Sequence, residues 1–255
     1  MPHQIARLGW IPDLPDQRDY RYAAPLERLG ALPPSVDLRS NCPPPYDQGH
    51  LGSCTANAIA AAIEFEQMKQ QLPQVFVPSR LFIYYNERVL EGTVNSDSGA
   101  QIRDGMKSVG TQGACPENTW PYDITQFEVQ PPDACYQAAL QHKTILYQRV
   151  ADNNLNQMKG CLADGYPFVF GFTVYESFMS DAVAQSGHAP MPGAAEQVLG
   201  GHAVLAVGYE DAHQWFIVRN SWGNTWGMQG YFTLPYAYLT DSNLASDFWT
   251  VRIVQ

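Results

Sequence analysis

The stretch Gln48-Gly-His-Leu-Gly-Ser-Cys54-Thr-Ala-Asn-Ala58 decides how the rest of this chain is read. A glutamine comes first, then a glycine-rich loop, then a cysteine that opens an alanine-rich segment. The pattern from Cys54 to about Gln71 predicts a helix. Ile59, Ile63 and Met68 recur at helical spacing, Ala56, Ala58, Ala60, Ala61 and Ala62 favour the conformation, and Pro73 helps to end it. So many small side chains predict a helix buried on several sides. A cysteine at a helix N-terminus meets the positive end of the backbone dipoles, which favours the nucleophilic thiolate. Gly49 and Gly52 let the backbone turn tightly and approach a substrate closely. Gln48, six positions ahead of the cysteine, is placed to donate a hydrogen bond to an oxyanion.

Downstream, His202 sits in Gly200-Gly-His-Ala-Val-Leu-Ala-Val-Gly-Tyr209. Asn220 and Trp222 sit in Ile217-Val-Arg-Asn-Ser-Trp-Gly-Asn-Thr-Trp-Gly227. His202 lies 148 positions after Cys54. A cysteine followed at that distance by histidine and asparagine is an arrangement used for thiol nucleophiles. With these residues, and with Leu32-Pro-Pro-Ser-Val-Asp-Leu-Arg39 at the head of the matching region, the chain resembles the papain-like cysteine peptidases, of the compact bacterial kind. The matching motifs run from about Leu32 to the C-terminus.

The resemblance implies an α+β, two-lobe fold: a helical lobe, a β-barrel-like lobe, and an active-site cleft between them. It implies Cys54 as nucleophile, His202 as general acid and base, and Asn220 holding the imidazole. Gln48 and the Cys54 backbone N–H would form the oxyanion hole, and Trp222 would cover the His–Asn contact. Gly99, in Ser98-Gly-Ala100, would pair its backbone with an extended substrate. No cofactor and no metal is expected, and no clustered His, Cys or Glu spacing suggests zinc. The expected partner is a polypeptide substrate, met by a monomer.

Three positions depart from the family pattern. Leu51 stands where a disulfide cysteine is usual, which removes the common disulfide framework and fits a reducing compartment. Thr55 replaces the tryptophan that normally follows the nucleophile. Gly201 precedes the histidine, where aspartate or asparagine is common. The remaining cysteines, Cys42, Cys115, Cys135 and Cys161, could form two disulfides or none; the expectation for each is a structural or inert role. His3, His142, His188 and His213 are expected to be solvated, and His50 to be a loop residue.

The net charge of −10 argues against nucleic acid and anionic membrane as partners, since both need basic patches. No apolar run approaches the roughly 20 residues of a membrane span. Met1 to Trp10 lacks the apolar core of a signal peptide. The expectation is a cytoplasmic chain, or one exported without a visible signal.

Residues 1–31 contain prolines at 12, 15 and 25 and read as an extended strap, either a short inhibitory pro-segment or passive packing. Residues 32–255 would form the peptidase domain, mainly helical over about 48–120 and mainly β over about 121–255. Further helices are expected at Pro78–Leu90, capped by Ser79, at Ile102–Val109, and at Asp152–Ala163. Strands are expected at Phe168–Val174, His202–Tyr209, Trp215–Asn220, Gly230–Leu234 and Phe248–Val254, with Met179–Leu199 as a long surface loop. Two other functions compete: acyl transfer by the same three residues, and a catalytically silent peptidase fold that binds or regulates. Aspartate rather than asparagine is usual in the acyl-transfer enzymes, and nothing needed for catalysis is missing.

Overall fold

In the computed structural model, which describes residues 8–255, three helices gather around the alanine-rich segment. A single helical turn, α1 (Leu26–Leu29), and a short strand, β1 (Ser35–Asp37), precede α2 (Cys54–Lys69). Fourteen of the sixteen residues of α2 are buried, so it is the centre of its lobe rather than an amphipathic surface helix. Two helices pack on it, α3 (Arg80–Glu91) and α4 (Ile102–Thr111). Ser79 caps α3 as the sequence predicts, its hydroxyl accepting from the Phe82 N–H. Gly92 ends that helix in the left-handed conformation. Met68, which recurs at helical spacing with Ile59 and Ile63, lies exposed near the end of α2.

A short helix, α5 (Asp133–Ala139), and a strand, β2 (Thr144–Arg149), follow, and neither was foreseen. Helix α6 (Leu155–Ala163) is capped by Asn154, one or two residues beyond the expected position. Then come β3 (Phe168–Tyr175), α7 (Asp181–Ser186), β4 (Val198–Glu210), β5 (Trp215–Arg219), β6 (Tyr231–Pro235), α8 (Tyr236–Leu239) and β7 (Ala245–Val254). The expected loop 179–199 thus contains one helix, started by Ser180, whose hydroxyl accepts from Val183 N–H.

The strands form one antiparallel sheet in the order β2-β7-β3-β4-β5-β6, with β1 added on β4. Its ends, β2 and β6, do not pair with each other, so the expected barrel-like lobe is an open, curled sheet. Alternation along the strands divides the core. Val169, Leu205 and Trp249 face the helices, in the same cluster as Cys54 and Ile59. Phe168, Phe170, Val204, Ala206 and Phe248 face a second, aromatic core away from α2. No helix among the described residues is long and apolar enough to cross a membrane.

Residues 1–7 of the N-terminal segment, His3 among them, lie outside the described residues. From Leu8 onward the segment is extended and bound to the body. Trp10 N–H donates to Gly201 O at 2.9 Å, and Ile11 N–H to Ala100 O at 3.0 Å. Farther on, Tyr22 N–H donates to Arg149 O at 2.8 Å, on the outer edge of β2.

Candidate active site

Cys54 begins α2, and β4 carries His202 against that helix end. The Cys54 sulfur is fully buried, within hydrogen-bonding reach of the Ala203 backbone N–H. His202 Nε2 meets Asn220 Oδ1 at 2.8 Å, while His202 Nδ1 has no partner among the described residues. The ring is therefore held by one nitrogen and leaves the other for a proton. Trp222 stacks on the imidazole, with ring centroids 4.8 Å apart and planes 23° apart, and Phe172 meets it edge-on at 5.7 Å. Asn220 Oδ1 also accepts from Ser221 N–H at 2.9 Å, which fixes the amide before the histidine uses it.

Gln48 is brought to the same place by pairing between the two lobes. Its backbone N–H donates to Ser221 O at 2.8 Å, and Gly223 N–H donates to Tyr46 O at 2.9 Å. Arg219 grips the incoming proline run through Pro43 O and Pro44 O. Ser221 Oγ donates to Gln48 Oε1 at 2.6 Å, which turns the amide so that Nε2 faces the Gly52–Cys54 side, where it donates to Leu51 O at 2.9 Å. Sequence reasoning missed Ser221. Its position beside Asn220 was the available signal.

Other supports were also missed. Tyr122 OH donates to Gln48 O at 3.0 Å and lies 2.5 Å from Ser53 Oγ. Asp97 accepts from Gly52 N–H at 3.0 Å and from Tyr84 OH at 2.6 Å. Tyr84 OH in turn accepts from Gly99 N–H at 3.1 Å. Asp97 so fastens the glycine loop before Cys54 to the loop that carries Gly99. A short acidic residue in a Gly/Ser loop was visible in the sequence, but nothing there says which backbone it reaches.

The departures from the family pattern have physical explanations. Leu51 is buried in the helix-facing core, where its apolar side chain packs. Thr55 donates to Glu87 Oε2 at 2.8 Å, inside the helical lobe. Gly201 admits the N-terminal strap: a Cβ there would lie 2.5 Å from Trp10 O.

That strap fills the cleft. Gly9 lies close against the helical wall, since a Cβ on it would strike Gly52 O and a Cβ on Gly99 would strike Gly9 O at 2.0 Å, while Trp10 N–H reaches Gly201 O on the sheet wall. Gly99, at φ +78°, supplies clearance. The backbone pairing is made by its neighbour, with Ala100 N–H donating to Gly9 O at 2.8 Å. The Gly9 N–H comes within reach of the Cys54 sulfur. The Trp10 ring lies on Gly171, and its Nε1–H donates to Asp247 Oδ2 at 3.1 Å. Under this cover both reactive groups are pushed towards neutrality. Burial raises the Cys54 thiol to about 12 and lowers the His202 imidazole to about 4, its bond to Asn220 opposing only part of that shift.

Past Trp10 the strap is held by charge. Asp13 N–H donates to Asp247 Oδ2 at 2.8 Å, and Asp13 Oδ2 accepts from Trp249 Nε1–H at 3.1 Å. Arg103 pairs with Asp19 at 2.7 Å, and Arg149 lies 3.1 Å from Asp247 and 3.6 Å from Asp13. Burial first, then the neighbouring Asp247 carboxylate, raise Asp13 to about 7.

Of the other expectations, all five cysteines are free thiols, and all but Cys42 are buried. No group of His, Cys, Asp and Glu among the described residues could hold a metal ion. His188 and His213 are exposed, as expected, and each also stacks on Trp215, with centroids 5.1 and 4.3 Å from that indole.

Residues 32–249 match the sequence model described as papain family cysteine protease. An uncharacterised peptidase C1-like protein of Acanthamoeba polyphaga mimivirus is 44% identical over 269 residues, a match covering 96% of this chain and 86% of that protein. Pro-cathepsin H of Bos taurus is 31% identical over 226 residues, covering 82% of this chain and 62% of that protein. Among solved structures, xylellain, a cysteine protease from Xylella fastidiosa, superposes with a TM-score of 0.91 at 47% identity, over 97% of this chain and 96% of its own. A pro-cathepsin B of Trypanosoma congolense superposes with a TM-score of 0.76 at 18% identity, over 97% of this chain and 86% of its own, a likeness of fold.

Proposed function

The chain belongs to the papain family of cysteine proteases, a family of peptide-bond hydrolases, and from that premise we propose that it is an endopeptidase held latent by its own N-terminal segment. Cys54 is the nucleophile. His202 Nδ1 takes the thiol proton, and the thiolate adds to the scissile carbonyl carbon. Gln48 Nε2–H and the Cys54 backbone N–H stabilise the oxyanion. His202 then returns the proton to the leaving amine, and water, deprotonated by the same imidazole, releases the acyl group from sulfur. Asn220 keeps the ring in register through Nε2, and Trp222 keeps water from that contact.

One observation carries the assignment: His202 is anchored by Nε2, with Nδ1 unpaired among the described residues, and the N–H of the next residue, Ala203, reaches the Cys54 sulfur at a helix N-terminus. Latency rests on residues 8–13, which fill the cleft and bury that sulfur. The names of two similar proteins, pro-cathepsin H and pro-cathepsin B, are those of precursors, which agrees with a latent form. Residues 32–255 are the domain that does the chemistry, and residues 1–31 the segment that restrains it. The test is hydrolysis of a fluorogenic dipeptide amide under reducing conditions. A chain beginning at Leu32 should cleave it, and its Cys54→Ala variant should not. A silent, peptide-binding role is favoured only by the burial of Cys54; an inactive but folded Leu32 chain would establish it.

A further inference from the structure

Cys115 and Cys135 are fully buried and take no part in the hydrolytic chemistry. Cys115 lies in the loop after α4, and Cys135 in the first turn of α5. Although 20 positions apart, they meet against Phe82 and Ala139 in a small core separate from the two main ones. Their thiols lie within hydrogen-bonding reach of each other. Both backbones are fixed: Cys115 O accepts from Ser79 N–H at 2.8 Å, and Cys135 N–H donates to Pro132 O at 2.8 Å. The other three thiols lie elsewhere. Cys42 Sγ donates to Leu38 O, Cys161 Sγ donates to Tyr166 O, and Cys54 opens α2.

We propose that Cys115 and Cys135 form a disulfide wherever the chain meets a disulfide oxidant. The two buried thiols share one small core and lie on fixed backbones, which brings together the sulfurs that such a bond joins. The segment between them carries Tyr122, which holds Gln48 O and Ser53 Oγ. The bond would therefore brace the support of the oxyanion loop at both ends. It restores a cross-link to a chain in which Leu51 has removed the usual one. In the step, both S–H bonds break and one S–S bond forms. The S–S bond of a small disulfide such as oxidised glutathione breaks in exchange, and that molecule takes the two electrons and two protons and leaves as two thiols. Burial raises both thiols, so few are ionised at neutral pH and the bond forms more readily during folding than after it.

The test uses the full chain with Cys54→Ser, which removes the competing nucleophile. The chain is produced in a compartment that forms disulfides, and a second sample is held with excess oxidised glutathione. Each is unfolded, alkylated without reductant and digested with trypsin. Both cysteines fall in one fragment, residues 108–143, because no Lys or Arg lies between Lys107 and Lys143. The expected fragment is unalkylated, two hydrogens lighter than the dithiol, and gains two alkyl groups only after reduction. Reductant should also lower the melting temperature by roughly 5–10 °C, and should not do so when Cys115→Ser and Cys135→Ser are present together. Two alkyl groups on the fragment from both samples, or glutathione attached to it in place of the internal bond, would overturn the proposal.

Discussion

Gln48 is held at four atoms: its N–H and Oε1 by Ser221, its carbonyl by Tyr122, and its Nε2 by Leu51. A side chain so fixed pays little to meet an oxyanion, which is where such donors have their value. In the chain beginning at Leu32, Gln48→Ala should lower kcat about 10²-fold with KM nearly unchanged. Ser221→Ala should lower kcat by about tenfold, because it frees the amide to turn while leaving both donors present. Steady-state kinetics on the two variants check this; a larger loss for Ser221→Ala, or a loss confined to KM, would contradict the assignment. At this scale the sequence was informative where chemistry requires a residue type. His202 meets both Asn220 and Trp222, and Gln48 is bonded to Ser221 next to Asn220, while their roles in catalysis are those proposed above. The sequence was silent on Ser221, Asp97 and Tyr122, ordinary polar residues whose role depends on which distant backbone they reach. With the strap in place it is Ala100 whose N–H pairs and Gly99 that supplies clearance.

Among the elements, the strap has the most consequences. Trp10 is its apolar anchor, and its truncation to alanine should weaken docking by about 3–5 kcal/mol, if the cleft does not close behind it. Asp13 is its titrating anchor, facing Asp247, Arg103, Arg149 and the Trp249 indole, with Asp19 and Asp152 near the same arginines. Its carboxyl is raised from an ordinary 3.8 to about 7 when docked. The docked state therefore binds more protons than the released one between those values. Docking is at full strength below about 4, weakens as pH rises, and reaches its low plateau above about 7. The latency of the full chain should follow that course, and Asp13→Asn should flatten it. The ratio of full-chain to Leu32-chain activity across pH 4–8, an approximate window set by that shift, is the measurement. A ratio that falls as pH rises would refute the linkage. The major helices and most strands were legible because their periodicity is strong. Several short elements were not, α5 and β2 among them. Helix α5 is seven residues long, with a Pro-Pro-Asp start as its one visible signal, and β2 owes its existence to pairing with β7.

At the scale of the molecule, two lobes meet where the N-terminus of α2 abuts β4. The core that contains Cys54 is shared between the helices and one face of the sheet. The α+β plan could be read from helices early and strands late. Closure of the sheet could not, because it depends on whether the edge strands β2 and β6 come together; each instead takes a short bridge on its outer side, Arg21 on Arg149 and His188 on Thr233. The strap joins both walls at once, through Ala100 on one and Gly201 on the other. A chain that closes its own cleft in this way should hide its nucleophile until the segment leaves. The direct measurement is the rate at which a thiol-directed epoxide labels Cys54 in the full chain and in the chain beginning at Leu32, under reducing conditions. The account predicts slow labelling in the first and fast labelling in the second, confined to Cys54. Equal rates in the two chains, or a folded Leu32 chain whose Cys54 resists the reagent, would contradict it.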